Sequence, residues 1–203
     1  MKPISLDGKE IFPSKIVCIG RNYVDHIKEL GNEIPEEPVI FIKPNSSIAA
    51  AIESGKPDEI HFEGEISILV RSGELFGVGF GLDLTKRKLQ SMLKASGLPW
   101  ERSKAFDGAA VFSEFVAFEG QVSDLRLELY INDRRVQQGG WGSLMYKPDE
   151  IIAEVKSFLS LEDGDLIMTG TPAGVGPLRA GDRFNGKVFE KDTLIVEASW
   201  VVQ

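Results

Sequence analysis

One cysteine, Cys18, and two histidines, His26 and His61, stand in 203 residues. A lone thiol excludes an intramolecular disulfide and every cysteine-rich zinc site, and fits a reducing compartment. Two imidazoles exclude a three-histidine zinc centre. Long apolar runs are missing as well, and the opening Met-Lys-Pro-Ile-Ser-Leu-Asp-Gly has no apolar signal core. A cytoplasmic chain with no membrane partner is therefore expected. Positive charge is in short supply: 31 acidic side chains face 23 basic ones, for a net charge of −8. That balance argues against nucleic acid and anionic membranes as partners. A small anionic substrate stays open, because a metal ion or a few cations reverse the field locally. No internal repeat, low-complexity tract or linker is visible, so one domain over residues 1–203 is expected. At this length roughly 70% of the unfolded surface can be buried, and a core needs no covalent or metal staple.

What is present is a series of short apolar runs cut by 21 glycines and 10 prolines. Lys15–Gly20, Val39–Lys43 (stopped by Pro44), Glu65–Val70 and Gly77–Leu82 read as strands. Leu125–Asn132 alternates leucine or isoleucine with Arg126, Glu128 and Tyr130, the period of a half-buried strand. Asn132-Asp133-Arg134 then turns the chain into a return strand. Leu166–Thr169, Arg183–Val188 and Leu194–Val201 complete a strand-rich second half. Helical spacing is rarer. Tyr23–Leu30 has room for two turns before Gly31, and Pro148–Leu159 opens with Pro148, Asp149 and Glu150. Thr85–Ser96 sets Leu84, Leu89, Met92 and Leu93 on one side, with Lys86, Lys88 and Lys94 elsewhere and Gly97 as stop. Strands outnumber helices without alternating with them, which predicts an α+β, mainly β fold with a few short helices.

Four constellations carry chemistry. Glu63 and Glu65 flank Gly64 at a strand start and share a face, while Asp83 ends the next apolar strand. Three such carboxylates either hold a hard divalent ion through oxygen or line a solvated strand edge. His26 and Glu29 are three apart on a helix, so the carboxylate either orients the imidazole as a base or makes a surface ion pair. Lys104 follows the turn Leu98-Pro99-Trp100 and precedes Gly108-Ala109-Ala110, where backbone can approach a ligand. Thr169–Pro177 offers the N–H of Gly170 and the hydroxyl of Thr171 to an anion, or is simply a pair of tight turns.

Taken in order, the chain runs Gly-Arg-Asn-Tyr…His…Glu, Phe-Ile-Lys-Pro, His-Phe-Glu-Gly-Glu, Leu-Asp-Leu-Thr-Lys-Arg…Gln, Gly-Leu-Pro-Trp…Lys-Ala-Phe-Asp, Asn-Asp…Gln…Gly and Thr-Gly-Thr-Pro-Ala-Gly-Val-Gly-Pro. This order resembles the fumarylacetoacetate hydrolase superfamily, and within it the acylpyruvase branch, from Lys15 to Asp182. The resemblance implies a β-roll over residues 15–203 behind a short segment 1–14, and a homodimer. It implies Mg²⁺ or Mn²⁺ on Glu63, Glu65 and Asp83. His26 with Glu29 would handle the catalytic water, and Lys104 would add positive charge where an enolate develops; Gly31 and Pro35, which follow the His26 segment, predict a short helix on a mobile lid. Arg87, Gln90, Gly170 and Thr171 would surround the substrate, a small anionic keto acid. The implied activity is hydrolysis of a C–C bond in acylpyruvate-type 1,3-diketo acids. The same enolate would serve oxaloacetate decarboxylation or diacid isomerisation, and a catalytically silent binding protein is a further alternative. Two departures stand out: Phe62 replaces a second histidine before the carboxylates, and Trp141 replaces a threonine, where it is expected to narrow the pocket.

Overall fold

The apolar runs become strands where they were expected, and shorter pieces join them. The computed structural model describes residues 1–29, 31, 33–55 and 58–203. The chain opens with the hairpin β1 (Ile4–Leu6) and β2 (Lys9–Ile11), followed by β3 (Lys15–Gly20), α1 (Val24–Glu29), β4 (Val39–Pro44) and β5 (Ile48–Ala49). Next come β6 (Ile60–Phe62), β7 (Gly64–Arg71), β8 (Glu74–Asp83), β9 (Thr85–Lys86), α2 (Arg87–Ala95) and α3 (Glu101–Lys104). The second half holds β10 (Ala110–Phe112), β11 (Val116–Ala117), β12 (Leu125–Ile131), β13 (Arg134–Gly140), α4 (Pro148–Phe158) and β14 (Leu166–Met168). It ends with β15 (Gly176–Pro177), β16 (Arg183–Glu190) and β17 (Thr193–Val201). The architecture is α+β and mainly β, as expected. Leu30, the expected last residue of the first helix, lies outside the described residues.

Strands β4-β3-β14-β7-β8-β10-β5 form the main sheet, with β11 also on β8, and β13-β12-β16-β17 form a second. The small sheet β15-β6-β9 sits at the end of the β7–β8 hairpin. Strands β3, β14 and β7 are buried on both faces, which is why they read as unbroken apolar runs rather than alternating ones. One face meets α4 through Val17, Ile19, Ile68 and Ile167 against Ile151 and Val155. The hairpin turn at Asn132 and Asp133 takes the left-handed conformation at both residues, φ 49° and 65°, as a tight two-residue turn requires.

The largest core cluster lies where the two main sheets meet: Ile66, Val78, Phe80 and Leu82 against Leu125, Leu127, Leu129, Phe184 and Val188. Phe80 lies flat on Gly186, where a Cβ would come within 2.4 Å of the ring. Phe62 belongs to this core, edge-on to Phe184 at 5.2 Å, so the residue that stands in place of a histidine is a packing residue. No helix among the described residues is long and apolar enough to cross a membrane.

Candidate active site

The β7–β8 hairpin register assembles the carboxylates. Glu65 pairs with Gly81, Gly64 with Leu82, and the Asp83 N–H donates to the Glu63 carbonyl at 2.8 Å. Residues directly opposite share a face, and so do residues two apart, so Glu63, Glu65 and Asp83 converge. Ligand oxygens from the three lie within 4.8 Å of one another, and all three residues are buried.

Cations surround the triad. The buried Lys104 ammonium donates to Glu63 Oε2 at 2.8 Å, Asp83 Oδ2 at 2.6 Å and Thr85 Oγ1 at 2.6 Å. Lys43, fully buried on β4, places Nζ 2.8 Å from Asp83 Oδ1 and also donates to the Lys104 carbonyl. Arg87 pairs with Glu63 and donates to Gln90 Oε1 at 2.8 Å. Burial raises the Glu63 pKa, but Lys104, Arg87 and His26 outweigh it and hold the carboxyl well below the usual range. Burial pulls Lys104 down, yet Asp83 and Glu63 hold it at about 12. Glu65 goes the other way: burial, then Asp83 and Glu63, push it well above an ordinary carboxyl, against the Gly170 N–H 2.7 Å from Oε2.

These residues fit a hard divalent ion. The donors are carboxylate oxygens only, the set that Mg²⁺ and Mn²⁺ prefer. Asp83 Oδ1 is buried without an aligned hydrogen-bond donor although Lys43 is near it. The Lys104 ammonium, bridging Glu63 and Asp83, is the chain's own stand-in for a cation at this position.

The His–Glu pair packs against this centre. His26 is 5% exposed, its Nδ1 lies 3.2 Å from Glu29 Oε2, and its charge acts on Glu63. Glu29 Oε1 accepts the Gly174 N–H at 3.0 Å, which ties α1 to the 169–177 loop. That loop is held from below, because Thr171 Oγ1 donates to the Gly64 carbonyl at 2.9 Å and accepts from Gln137 Nε2 at 2.8 Å. The Thr171 hydroxyl and Gly170 N–H are thus engaged by the protein itself, where the sequence pointed them at substrate.

Two expectations need correction. Helix α2 turns Gln90 and Leu93 inward, whereas Met92 is 60% exposed, because the inward side of this helix faces a charged site rather than an apolar core. Trp141 does not narrow the site: it lines another cavity with Gly73, Leu75, Val122, Pro148 and Ile152. Sequence reasoning also missed participants. Lys43 is signalled by a lysine inside an apolar strand, Val-Ile-Phe-Ile-Lys. Gln137 donates to Thr171 and accepts the Gly64 N–H at 2.9 Å; it stands in the Gln…Gly segment of the resemblance, but no role was read for it. The Tyr23 hydroxyl is buried without a partner, and burial with Glu65 raises its pKa.

A mainly β fold thus carries an acidic triad, buried ammonium groups and a His–Glu pair at one place. The Fumarylacetoacetate (FAA) hydrolase C-terminal family model matches residues 15–198, and the chain belongs to that family. The match extends past Asp182, where the resemblance was expected to end. The chain is 39% identical over 188 residues to an oxaloacetate tautomerase of Escherichia coli (strain K12), covering 83% of this chain and 85% of that one. It is 38% identical over 201 residues to the mitochondrial oxaloacetate decarboxylase of Dictyostelium discoideum, covering 88% and 90%. The fumarylpyruvate hydrolase from Pseudomonas aeruginosa in complex with Mn²⁺ and pyruvate superposes with a TM-score of 0.88 at 25% identity, over 100% of this chain and 97% of that one.

Proposed function

We propose that the protein interconverts the keto and enol forms of a short β-keto diacid, oxaloacetate being the substrate of choice. The observation that carries this reading is the division of labour among the buried bases and cations. Lys104 stays an ammonium at any working pH, so it stabilises negative charge and takes no proton. Among the groups packed at the centre, His26 is the side chain with the chemistry of a general base. Its Nδ1 faces Glu29, which fixes the ring and leaves Nε2 for substrate. His26 then takes a proton from the carbon between the two carbonyl-bearing carbons and returns it to the enolate oxygen. Arg87 and Gln90 hold a substrate carboxylate, Arg87 exchanging its Glu63 partner for a bidentate one. A divalent ion bound by Glu63, Glu65 and Asp83 would supply Lewis acidity to the developing enolate. The names of the relatives support a keto diacid rather than an acylpyruvate.

Hydrolysis of an acylpyruvate or fumarylpyruvate is the second reading, favoured by the fumarylpyruvate hydrolase likeness. One experiment separates the readings. Oxaloacetate and acetylpyruvate are each incubated with enzyme and Mg²⁺, while enol absorbance, CO₂ and acetate are followed. Faster enol–keto exchange without CO₂ or acetate is expected. Acetate release from acetylpyruvate at a higher kcat/KM would replace tautomerisation by hydrolysis, and CO₂ release at the rate of enol loss would replace it by decarboxylation.

A further inference from the structure

Helix α2 presents three polar side chains at spacing i, i+3, i+7: Arg87, Gln90 and Lys94. Arg87 and Gln90 are already bonded to each other and to Glu63. Lys94 is one turn further on, about 6 Å from Gln90 along the axis. Unlike Lys43 and Lys104, it has no carboxylate within ion-pair distance among the described residues. Its ammonium instead sits 4.6 Å from the centroid of Trp100, half-buried over the indole face. Trp100 in turn packs against Phe41, at 6.1 Å, and the Lys104 ammonium lies 5.0 Å from that ring. A line of cations and aromatic faces therefore runs from the triad to Lys94. In an acidic protein, an ammonium withdrawn from solvent without an anion is an open half of an ion pair.

We propose that Lys94, seated on Trp100, receives the carboxylate at the end of the substrate remote from the triad, and so makes the site select keto diacids over keto monoacids. The inference rests on the keto-acid reading above and adds the residue that sets substrate length and charge. The electrostatics agree. Burial, Arg21, Arg87 and Lys104 depress Lys94 to about 8 against the pull of Glu63, and a bound carboxylate restores its proton. Phe41 and Trp100 contribute no charge, so the charged groups acting on Lys94 are Arg87 of its own helix and Arg21, Glu63 and Lys104 from the neighbouring elements.

The test uses unreactive ligands that differ only in the remote carboxylate. Malate and lactate share the α-hydroxy acid, and only malate carries the second carboxylate. Their affinities are measured by calorimetry on the whole protein with Mg²⁺. The wild type should prefer malate, with affinity falling as pH rises through about 8. Lys94→Met should weaken malate about 10-fold, the scale of one charge-assisted contact, leave lactate unchanged and remove the pH slope. Lys94→Arg should keep the preference, which confirms that the helix and pocket survive substitution. Equal weakening of both ligands, no change in either, or a wild type without malate preference would overturn the proposal. Failure of the oxaloacetate reading looks different: no turnover of oxaloacetate, but a malate preference that still depends on Lys94.

Discussion

Asp165 and Glu65 are both buried carboxylates, 0% and 1% exposed, and the chain treats them in opposite ways. Asp165 Oδ1 accepts the Ser14 N–H at 3.0 Å, the Ser14 hydroxyl at 2.7 Å and the Lys15 N–H at 3.1 Å. Its Oδ2 accepts the Glu162 N–H at 2.9 Å and pairs with the Lys15 ammonium. Burial raises its pKa, but Lys15, Ser14 and the Glu162 N–H bring it below the ordinary value. Glu65 has the Gly170 N–H and two more carboxylates within 4.8 Å. Burial alone therefore does not mark a functional acid. The mark is an unbalanced environment, held in place by a fold that is stable despite it.

The sharpest way to break the comparison is to neutralise each acid. Glu65→Gln should lower turnover with Mg²⁺ by about 10³-fold or more, the several kcal/mol that a Lewis acid provides. In EDTA the melting temperature should hold or rise, because a repelled charge is gone while an acceptor for Gly170 remains. A clear fall in Tm there would make Glu65 a structural acid like Asp165. Asp165→Ala should do the reverse, costing about 3 kcal/mol and roughly 6–12 °C in Tm while kcat/KM stays within about twofold. A large loss of kcat/KM at unchanged Tm would erase the contrast.

His26 tests the proton-transfer side of the comparison. His26→Ala should slow enol–keto exchange by about 10²-fold, with any CO₂ release falling less, since decarboxylation needs an electron sink more than a base. Equal small losses would reduce His26 and Glu29 to a surface-type pair. The smallest effect is in the pH dependence of metal-free stability. Asp165, with its folded pKa lowered, contributes stability present above about 3.8 and lost as pH falls through the folded value. Glu65, with its folded pKa raised, contributes stability present below about 4.5 and lost as pH rises through the folded value. Thermal scans from pH 3 to 8 in EDTA should show Asp165→Asn flattening the acid limb and Glu65→Gln flattening the other.

Much of this was legible in the sequence because strand spacing is rigid. Residues two apart share a face whatever surrounds them, so Glu63 and Glu65 could be placed together, and β3 was bounded to the residue by Lys15 and Gly20. The inward face of α2 was legible in part: Arg87 and Gln90, three apart, were expected toward the site, but Met92 was set inward with Leu93. Amphipathic reading assumes that apolar residues turn inward, and here Gln90 is buried while Met92 faces solvent. Lys43 escaped for a related reason: a lysine in an apolar strand declares its burial only once Asp83 is seen beside it. The two-residue strands β5, β9, β11 and β15 are too short to show any period.

The position of β14 governs how the molecule can be made. It lies between β3, which it pairs in parallel, and β7, which it pairs antiparallel, so residues 166–168 close a gap between two strands that are synthesised about 150 and about 100 residues earlier. Until β14 arrives, β3 and β7 each present an apolar edge with open backbone donors and acceptors, the template on which chains aggregate. Glu65 lies on one of those edge strands. A nascent chain shorter than about 170 residues thus has the carboxylates of the β7–β8 hairpin but lacks the Gly170 N–H that bonds Glu65, and its slow, non-local pairing leaves those edges open to aggregation.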